Sequence, residues 1–577
     1  MKTAAFRGFT PVHSPCFFVN PIDQAYIYPY SRFVVIESQN GQQTILMEND
    51  LPISCIDMSP KGRMIATGES GRNSDILVWR YDNKSVLFRL SEHDSGVLAV
   101  AFSGDERLLA TYGAEGRLII WDMASGNIVT HKVLPEVHAI KWGGRVPDIK
   151  GRPTPTFYLA TSNNSSFIEL HTIDPSNGSI TTVSLPMGKY SRNITSFAFT
   201  ERYLLCASTS SDVLVFELHS LTLQHVFPVG HGGISYMYSA PDGGIIAGCG
   251  DGGIYSLSET TATLLSNCKH PISTIYGPAL LTEDGRMILA NGLQEKWQAH
   301  TTPITSIDCC NSLSVSVSVD RTVKVWNSNS LKARISFDSG FRSSPTSVSL
   351  STHLLTVGFE NGALGGFDFE TGEKLFDILH CHHSAVSAVE IAPTRRFFAT
   401  GGADYCVRLW DVKTRDMLTH YKCHEGYVSS VRFLPSSTHF YSSSHDRSIC
   451  LLDVAKESIL EHITGFESEV RDIDIAGDLL ITATQDGHLA KFCISQSSKP
   501  IINLKTKEIN TVSVSPDGSK FAVGHIDGSV SLWDLNSFKK ISETVLHSES
   551  VSDIRFYEPN KILSAGKDGG LAVIQVQ

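Results

Sequence analysis

Five segments of this sequence superimpose on one another: RNSDILVWR, AEGRLIIWD, SVDRTVKVW, GADYCVRLWD and HIDGSVSLWD. Each runs from a turn through alternating apolar residues to a Trp or just past it. The turn acid stands six positions ahead of the Trp in the pairs Asp320 and Trp326, Asp404 and Trp410, and Asp527 and Trp533. A unit repeated at a fixed period constrains the fold strongly, because one unit cannot bury its apolar faces alone and must stack on its neighbours. Fainter copies place Ile36, Leu170, Phe216, Leu257, Trp297, Phe367, Leu452, Phe492 and Ile574 in the Trp position. With Trp79, Trp121, Trp326, Trp410 and Trp533 these make fourteen copies. Ser, Thr, Val, Ile and Gly dominate the chain, and its 45 glycines fit many turns between short strands.

The copies follow one another at mostly about forty to forty-nine residues, and the period and Trp resemble those of the WD40 repeat, whose unit is a four-stranded propeller blade. The resemblance implies an all-β fold of tandem WD40 β-propellers, two seven-bladed rings, with residues 1–297 forming the first and 298–577 the second. The interval from Trp297 to Trp326 is too short for a full set of strands, so a strand there is expected to be missing or donated. The segment Thr3 to Phe9 is a candidate donor that would close the first ring, since ring closure removes an open sheet edge. The last copy ends at Gln577 with no room for an outer strand. The sequence leaves open which ring the N-terminal segment serves.

WD40 blades carry a hydrogen-bonded set of His, Ser or Thr, Asp and Trp, and the likeness implies such sets here. The spacing selects His300, Ser316, Asp320 and Trp326; His382, Thr400, Asp404 and Trp410; and His93, Thr111, Glu115 and Trp121, with Glu in the Asp position. A fourth, His424, Ser442 and Asp446, has Leu452 where Trp would stand. Their role is structural, since buried polar groups need partners. The cluster His380, Cys381, His382 and His383 is therefore read as a blade loop containing one set histidine. Neighbours on an extended segment point apart and converge poorly on a metal ion, so no metal and no other cofactor is expected.

No G-x-x-x-x-G-K-[ST], H-E-x-x-H or G-x-S-x-G occurs, and no catalytic residue is assigned. The chain is expected to be no enzyme and to have no small-molecule substrate. A formal net charge of −11 without a long basic run argues against nucleic acid as a partner. No stretch of ~18 apolar residues occurs, so no membrane span is expected.

The segments NPIDQAYIYPYSRFVVIES, ISCIDMSPKGRMIATGES, RTVKVWNSNSLKARISF and NGALGGFDFETGEKLFDIL carry a narrower likeness. They resemble the cilia- and flagella-associated WD-repeat proteins of motile axonemes, along nearly the whole chain. That resemblance implies a structural microtubule inner protein in the cytoskeleton of the cilium or flagellum. Its expected partners are tubulin, on the lumenal face of doublet microtubules in the B-tubule, and other inner proteins. The alternative is a cytosolic double-propeller scaffold, either an actin-disassembly cofactor of the actin-interacting protein one type or an echinoderm microtubule-associated-protein-like binder. No motif assigns partner-contact residues.

Overall fold

A computed structural model describes every residue except 1, 9–15, 148–151, 164–167, 241, 242, 291, 353, 496–499 and 577. The described residues form fourteen four-stranded antiparallel sheets and no α-helix. They divide into two compact units, one of Phe9–Gln298 and one of Ala299–Gln577 together with Met1–Gly8.

The first unit holds sheets at residues 18–46, 53–90, 97–133, 137–185, 194–228, 234–267 and 272–298. The second holds sheets at 304–338, 345–378, 386–421, 428–463, 470–505 and 509–545, and a last one at 551–575. Within each sheet the middle strands are covered on both faces by the adjacent sheets. They therefore read as continuous apolar runs, as in Phe33–Glu37 and Leu108–Gly113, where every residue is buried. The outermost strands read as mixtures, as in Ile128–Val133, because only one face meets a neighbour.

The second unit is a closed ring. The first strands of successive sheets pack side by side, and Val551–Glu558 of the last packs against Ile304–Cys310 of the first. The Asp553 carboxylate seals this junction by accepting the Ile307 N–H and the Ser306 hydroxyl, each at 3.0 Å. The first unit closes through aromatic rings instead. Phe18 meets Tyr276 edge-on at 5.1 Å, Tyr28 lies 5.6 Å from Trp297, and the Lys296 ammonium sits 4.3 Å over the Tyr26 ring.

Several expectations from the spacing change here. The strand Lys2–Arg7 pairs antiparallel with Leu571–Gln575, so it supplies the outer strand of the last sheet and belongs to the second ring. Phe6 is buried there, and Arg7 Nε donates to the Leu331 carbonyl at 3.1 Å. Phe9 and Gln577 lie outside the described residues. The boundary therefore falls at Gln298/Ala299 with the first eight residues reassigned. The physical reason is vacancy: the last sheet has three strands of its own and an open edge, whereas the sheet at 272–298 is complete. The interval from Trp297 to Trp326 is short because Trp297 stands on the fourth strand of its sheet, Gln294–Gln298, and Trp326 on the third strand of the next. Trp297 consequently lies on the outermost strand and not on the third, where Trp stands in other sheets. In the sheet at 137–185 the Trp position belongs to His171 rather than Leu170: His171 stands ten residues after Thr161, as Trp121 stands ten after Thr111.

Candidate functional site: buried histidine sets and the channel wall

The three complete sets assemble across the strands that the spacing selects. In the sheet at 304–338, His300 Nδ1 is 2.9 Å from Asp320, His300 Nε2 is 2.7 Å from the Ser316 hydroxyl, and the Trp326 indole donates to that hydroxyl at 2.8 Å. In the sheet at 386–421 the matching distances are 2.8 Å from His382 to Asp404, 2.8 Å from His382 to Thr400, and 3.0 Å from Trp410 to Thr400. In the sheet at 97–133, His93 bonds Glu115 and lies 3.0 Å from Thr111, to which Trp121 donates at 2.9 Å.

The donors and acceptors run in one direction. The indole N–H donates to the hydroxyl, the hydroxyl donates to Nε2, and Nδ1–H donates to the carboxylate, so a neutral imidazole satisfies every member. Burial raises the Asp320 and Asp404 carboxyls, but the histidine hydrogen bonds outweigh it and hold both well below the usual carboxylate range. Burial also pulls His300 and His382 below their ordinary value. Each set thus ties the loop before a sheet to its second strand, the following turn and its third strand.

Four other sheets carry partial versions. His424 bonds Asp446 at 3.0 Å and Ser442 at 2.8 Å, with Leu452 in the Trp position. His547 bonds Asp568 at 3.1 Å and Ser564 at 2.8 Å, with Ile574 in that position. The sequence reading missed this last set, although its offsets are close to those of His300. In the sheet at 53–90, Asn49 replaces the histidine and accepts the Thr67 hydroxyl at 2.9 Å. In the sheet at 137–185, His171 bridges the Thr161 hydroxyl at 2.9 Å and the Thr182 hydroxyl at 2.8 Å, fully buried.

The quoted histidine cluster splits as its extended geometry requires. Cys381 and His382 are buried, and His380 and His383 are exposed. Among the described residues, two other groups have metal-ligating atoms within 4.8 Å of one another: Cys423, His424 and Cys450, and Glu467, Asp486 and His488. In the first, both nitrogens of His424 are engaged by the set just described.

The channel wall of the second unit holds a feature that no motif announced. Acidic side chains on the innermost strands reach the next sheet and accept a backbone N–H. Asp308 takes that of Leu350 at 2.7 Å, Glu390 that of Phe433 at 2.6 Å, Asp472 that of Val512 at 3.1 Å and Asp474 that of Val514 at 2.7 Å. Hydroxyls do the same for carbonyls: Thr305 donates to Pro345 at 2.9 Å, Ser387 to Val428 at 2.5 Å and Ser429 to Val470 at 2.7 Å. Burial pushes the Glu390 carboxyl up to about 8, offset in part by the charge of Arg432. These carboxylates are rivets between sheets. The outermost strands instead face solvent with aliphatic side chains, among them Leu375, Met417, Leu418, Ile459, Leu460 and Ile541.

The profile of the family described as WD domain, G-beta repeat matches residues 42–80, 84–122, 292–327, 373–411, 415–453 and 498–534. Together with the sheets and sets above, this shows that the chain has WD40 repeats on a β-propeller fold. Its curated relatives carry a narrower name. The human Cilia- and flagella-associated protein 52 is 21% identical over 623 aligned positions, covering 98% of this chain and 95% of that protein. The protein of that name from Chlamydomonas reinhardtii is 26% identical over 270 positions, which span 44% of this chain and 42% of that protein. The human WD repeat-containing protein 90 is 33% identical, over 23% of this chain and 8% of its own.

Proposed function

We propose that this chain is a structural, non-enzymatic component of motile cilia and flagella. In this reading it binds the lumenal wall of doublet microtubules, in the B-tubule, together with neighbouring inner proteins, and braces the axoneme. The observation that carries the reading is co-linear similarity over 98% of the chain to a protein named for cilia and flagella. A likeness confined to single repeats would report only the blade.

The physical chemistry supports a bracing role. In each unit, side chains bridge one sheet to the next, as Asp57 does to Phe102 and Asp472 to Val512. The outer strands offer open backbone edges and aliphatic side chains such as Met417, Leu418, Ile459 and Leu460, which a protein lattice would bury. Weak contacts repeated along a periodic lattice sum to stable attachment. The negative balance disfavours attachment through acidic peptide tails and leaves lumenal attachment open.

Fractionation of isolated flagella tests the reading. Detergent removes membrane and matrix, and high salt removes proteins held on the outer surface. The chain is expected to stay with the doublets through both washes. Recovery in the salt or soluble fraction, or absence from flagella, would sink the inner-wall assignment. Co-sedimentation with actin filaments would then be the next measurement.

A further inference from the structure

The sheet at 470–505 is built on the same register as its intact neighbours. Thr482 lies opposite Ile473, as Thr400 lies opposite Val389 and Ser442 opposite Val431. Asp486 follows Thr482 by four residues, as Asp404 follows Thr400, and Phe492 follows by ten, as Trp410 does. The position eighteen residues ahead, which holds His382 and His424 in the neighbouring sheets, holds Thr464 here, and Thr464 is exposed. The sheet therefore has the hydroxyl, the carboxylate and an aromatic ring but lacks the imidazole.

Two further observations mark the vacancy. The Thr482 hydroxyl is fully buried and has no hydrogen-bond partner, whereas the equivalent Thr400 and Ser442 hydroxyls each meet a histidine at 2.8 Å. A cavity of about 130 Å³ lies beside it, walled by Ile463, Phe466, Ala490 and Phe492. Its mouth is formed in part by exposed Thr464, Gly465, Glu467 and Asn503. His488 also lines the cavity and holds Asp486 at 2.7 Å. Ligating atoms of Glu467, Asp486 and His488 lie within 4.8 Å of one another.

We propose that this cavity is a docking pocket for a neutral imidazole ring, supplied by a histidine side chain of a partner protein. An apolar cavity of ~150 Å³ accommodates benzene, and imidazole is smaller. Its lone-pair nitrogen accepts the Thr482 hydroxyl, repeating the bond seen in five other sheets. Its N–H turns to the carboxylates at the mouth. The pocket stands apart from the axonemal reading, since it would serve a partner in any assembly.

The test is titration of the full chain with imidazole, followed by saturation-transfer NMR and calorimetry. The expected dissociation constant is in the range of about 1–10 mM, since a five-atom ligand has little surface to bury. Thr482→Val, which keeps the shape and removes the hydroxyl, is expected to weaken binding at least tenfold. Thr464→His is expected to fill the cavity in cis, abolish binding and raise Tm. Pyrrole, which offers no lone pair to the hydroxyl, is expected to bind at least tenfold more weakly than imidazole. Affinity is expected to fall below pH ~6.5 as the ring protonates. A capped peptide with a central histidine, compared with its alanine counterpart, identifies the source: tenfold tighter binding than free imidazole supports a partner side chain. Binding of imidazole without binding of the peptide overturns the partner assignment in favour of a small azole. Equal affinity for imidazole and pyrrole, an unaffected Thr482→Val variant, or uptake of Zn²⁺ at the mouth with no imidazole binding overturns the pocket itself.

Discussion

The two rings share one architecture and are held together differently. The ring at 299–577 has histidine sets at His300, His382, His424 and His547, a wall of carboxylate rivets, and a last sheet completed by Lys2–Arg7. Among the described residues the ring at 9–298 has one such set, at His93, has a carboxylate rivet where Asp57 accepts the Phe102 N–H at 2.7 Å, and otherwise uses Asn49, His171 and aromatic contacts around Tyr276 and Trp297. Both nevertheless hold seven four-stranded sheets. The polar sets are therefore fasteners added to a blade whose existence depends on strand pairing and apolar packing between sheets.

That contrast gives measurable expectations, the largest at ring closure. Phe6→Ala is expected to destabilise the second ring by about 3 kcal/mol or more, since it empties a buried ring-sized site on the closing strand. Hydrogen exchange should accelerate first in residues 551–575 and leave 18–298 unchanged. If the first ring loosened equally, the separation of the two closures would fail.

The polar sets come next. Asp404→Ala leaves a buried imidazole and hydroxyl without their anchor and is expected to cost about 2–3 kcal/mol. Asn49→Ala, in the improvised version, is expected to cost about 1 kcal/mol. Denaturant midpoints of the two variants test the ranking, and a reversed order would show that the substitute is the stronger fastener.

Acid sharpens the comparison. Burial, followed by the charge of Lys132, holds His171 down to about 4, below the ordinary histidine value of 6.5. The unfolded chain takes up this proton first, so the group withdraws stability as pH falls from 6.5 towards 4 and withdraws none above that window. The difference in stability between wild type and His171→Gln should therefore change by up to about 3 kcal/mol across those pH values. A flat difference curve would place the proton elsewhere. In the second ring, His300 and His382, also lowered by burial, withdraw stability below 6.5 in the same sense, and the depressed Asp320 and Asp404 carboxyls add a further loss below the ordinary carboxylate value of 3.8.

The smallest effect is a matched pair. Thr400→Val breaks a satisfied set and is expected to cost about 2 kcal/mol, whereas Thr482→Val removes an unpartnered hydroxyl and is expected to be neutral or to gain up to about 1 kcal/mol. Melting of the two variants side by side decides whether the register equivalence carries an energetic difference.

What the sequence disclosed follows from what repeats. Asp404 and Trp410 recur at fixed offsets in other copies, so the blades and three complete sets could be read by counting. Counting failed where the anchor residue misled. Trp297 carries the right residue type on the wrong strand, since it lies on the fourth strand of its sheet and the repeat's Trp on the third. His171 is hidden by its neighbour, since Leu170 is apolar like the residues at this position in the other fainter copies. The set at His547 had no Trp to announce it. The rivets were out of reach because each acid answers a backbone N–H about forty residues away, as Asp308 answers Leu350, and a backbone partner leaves no residue type to match. The vacancy beside Thr482 is a missing residue, which becomes visible only once register fixes where it should stand.

The pairing of Lys2–Arg7 with Leu571–Gln575 has a consequence during synthesis. Residues 2–7 leave the ribosome long before their partners at 571–575, and a complete seven-sheet ring is made in between. The early ring can finish while its successor is still emerging. The later ring stays open at one edge until Leu571–Gln575 has emerged, so the slowest step in its closure is expected to be the capture of Lys2–Arg7.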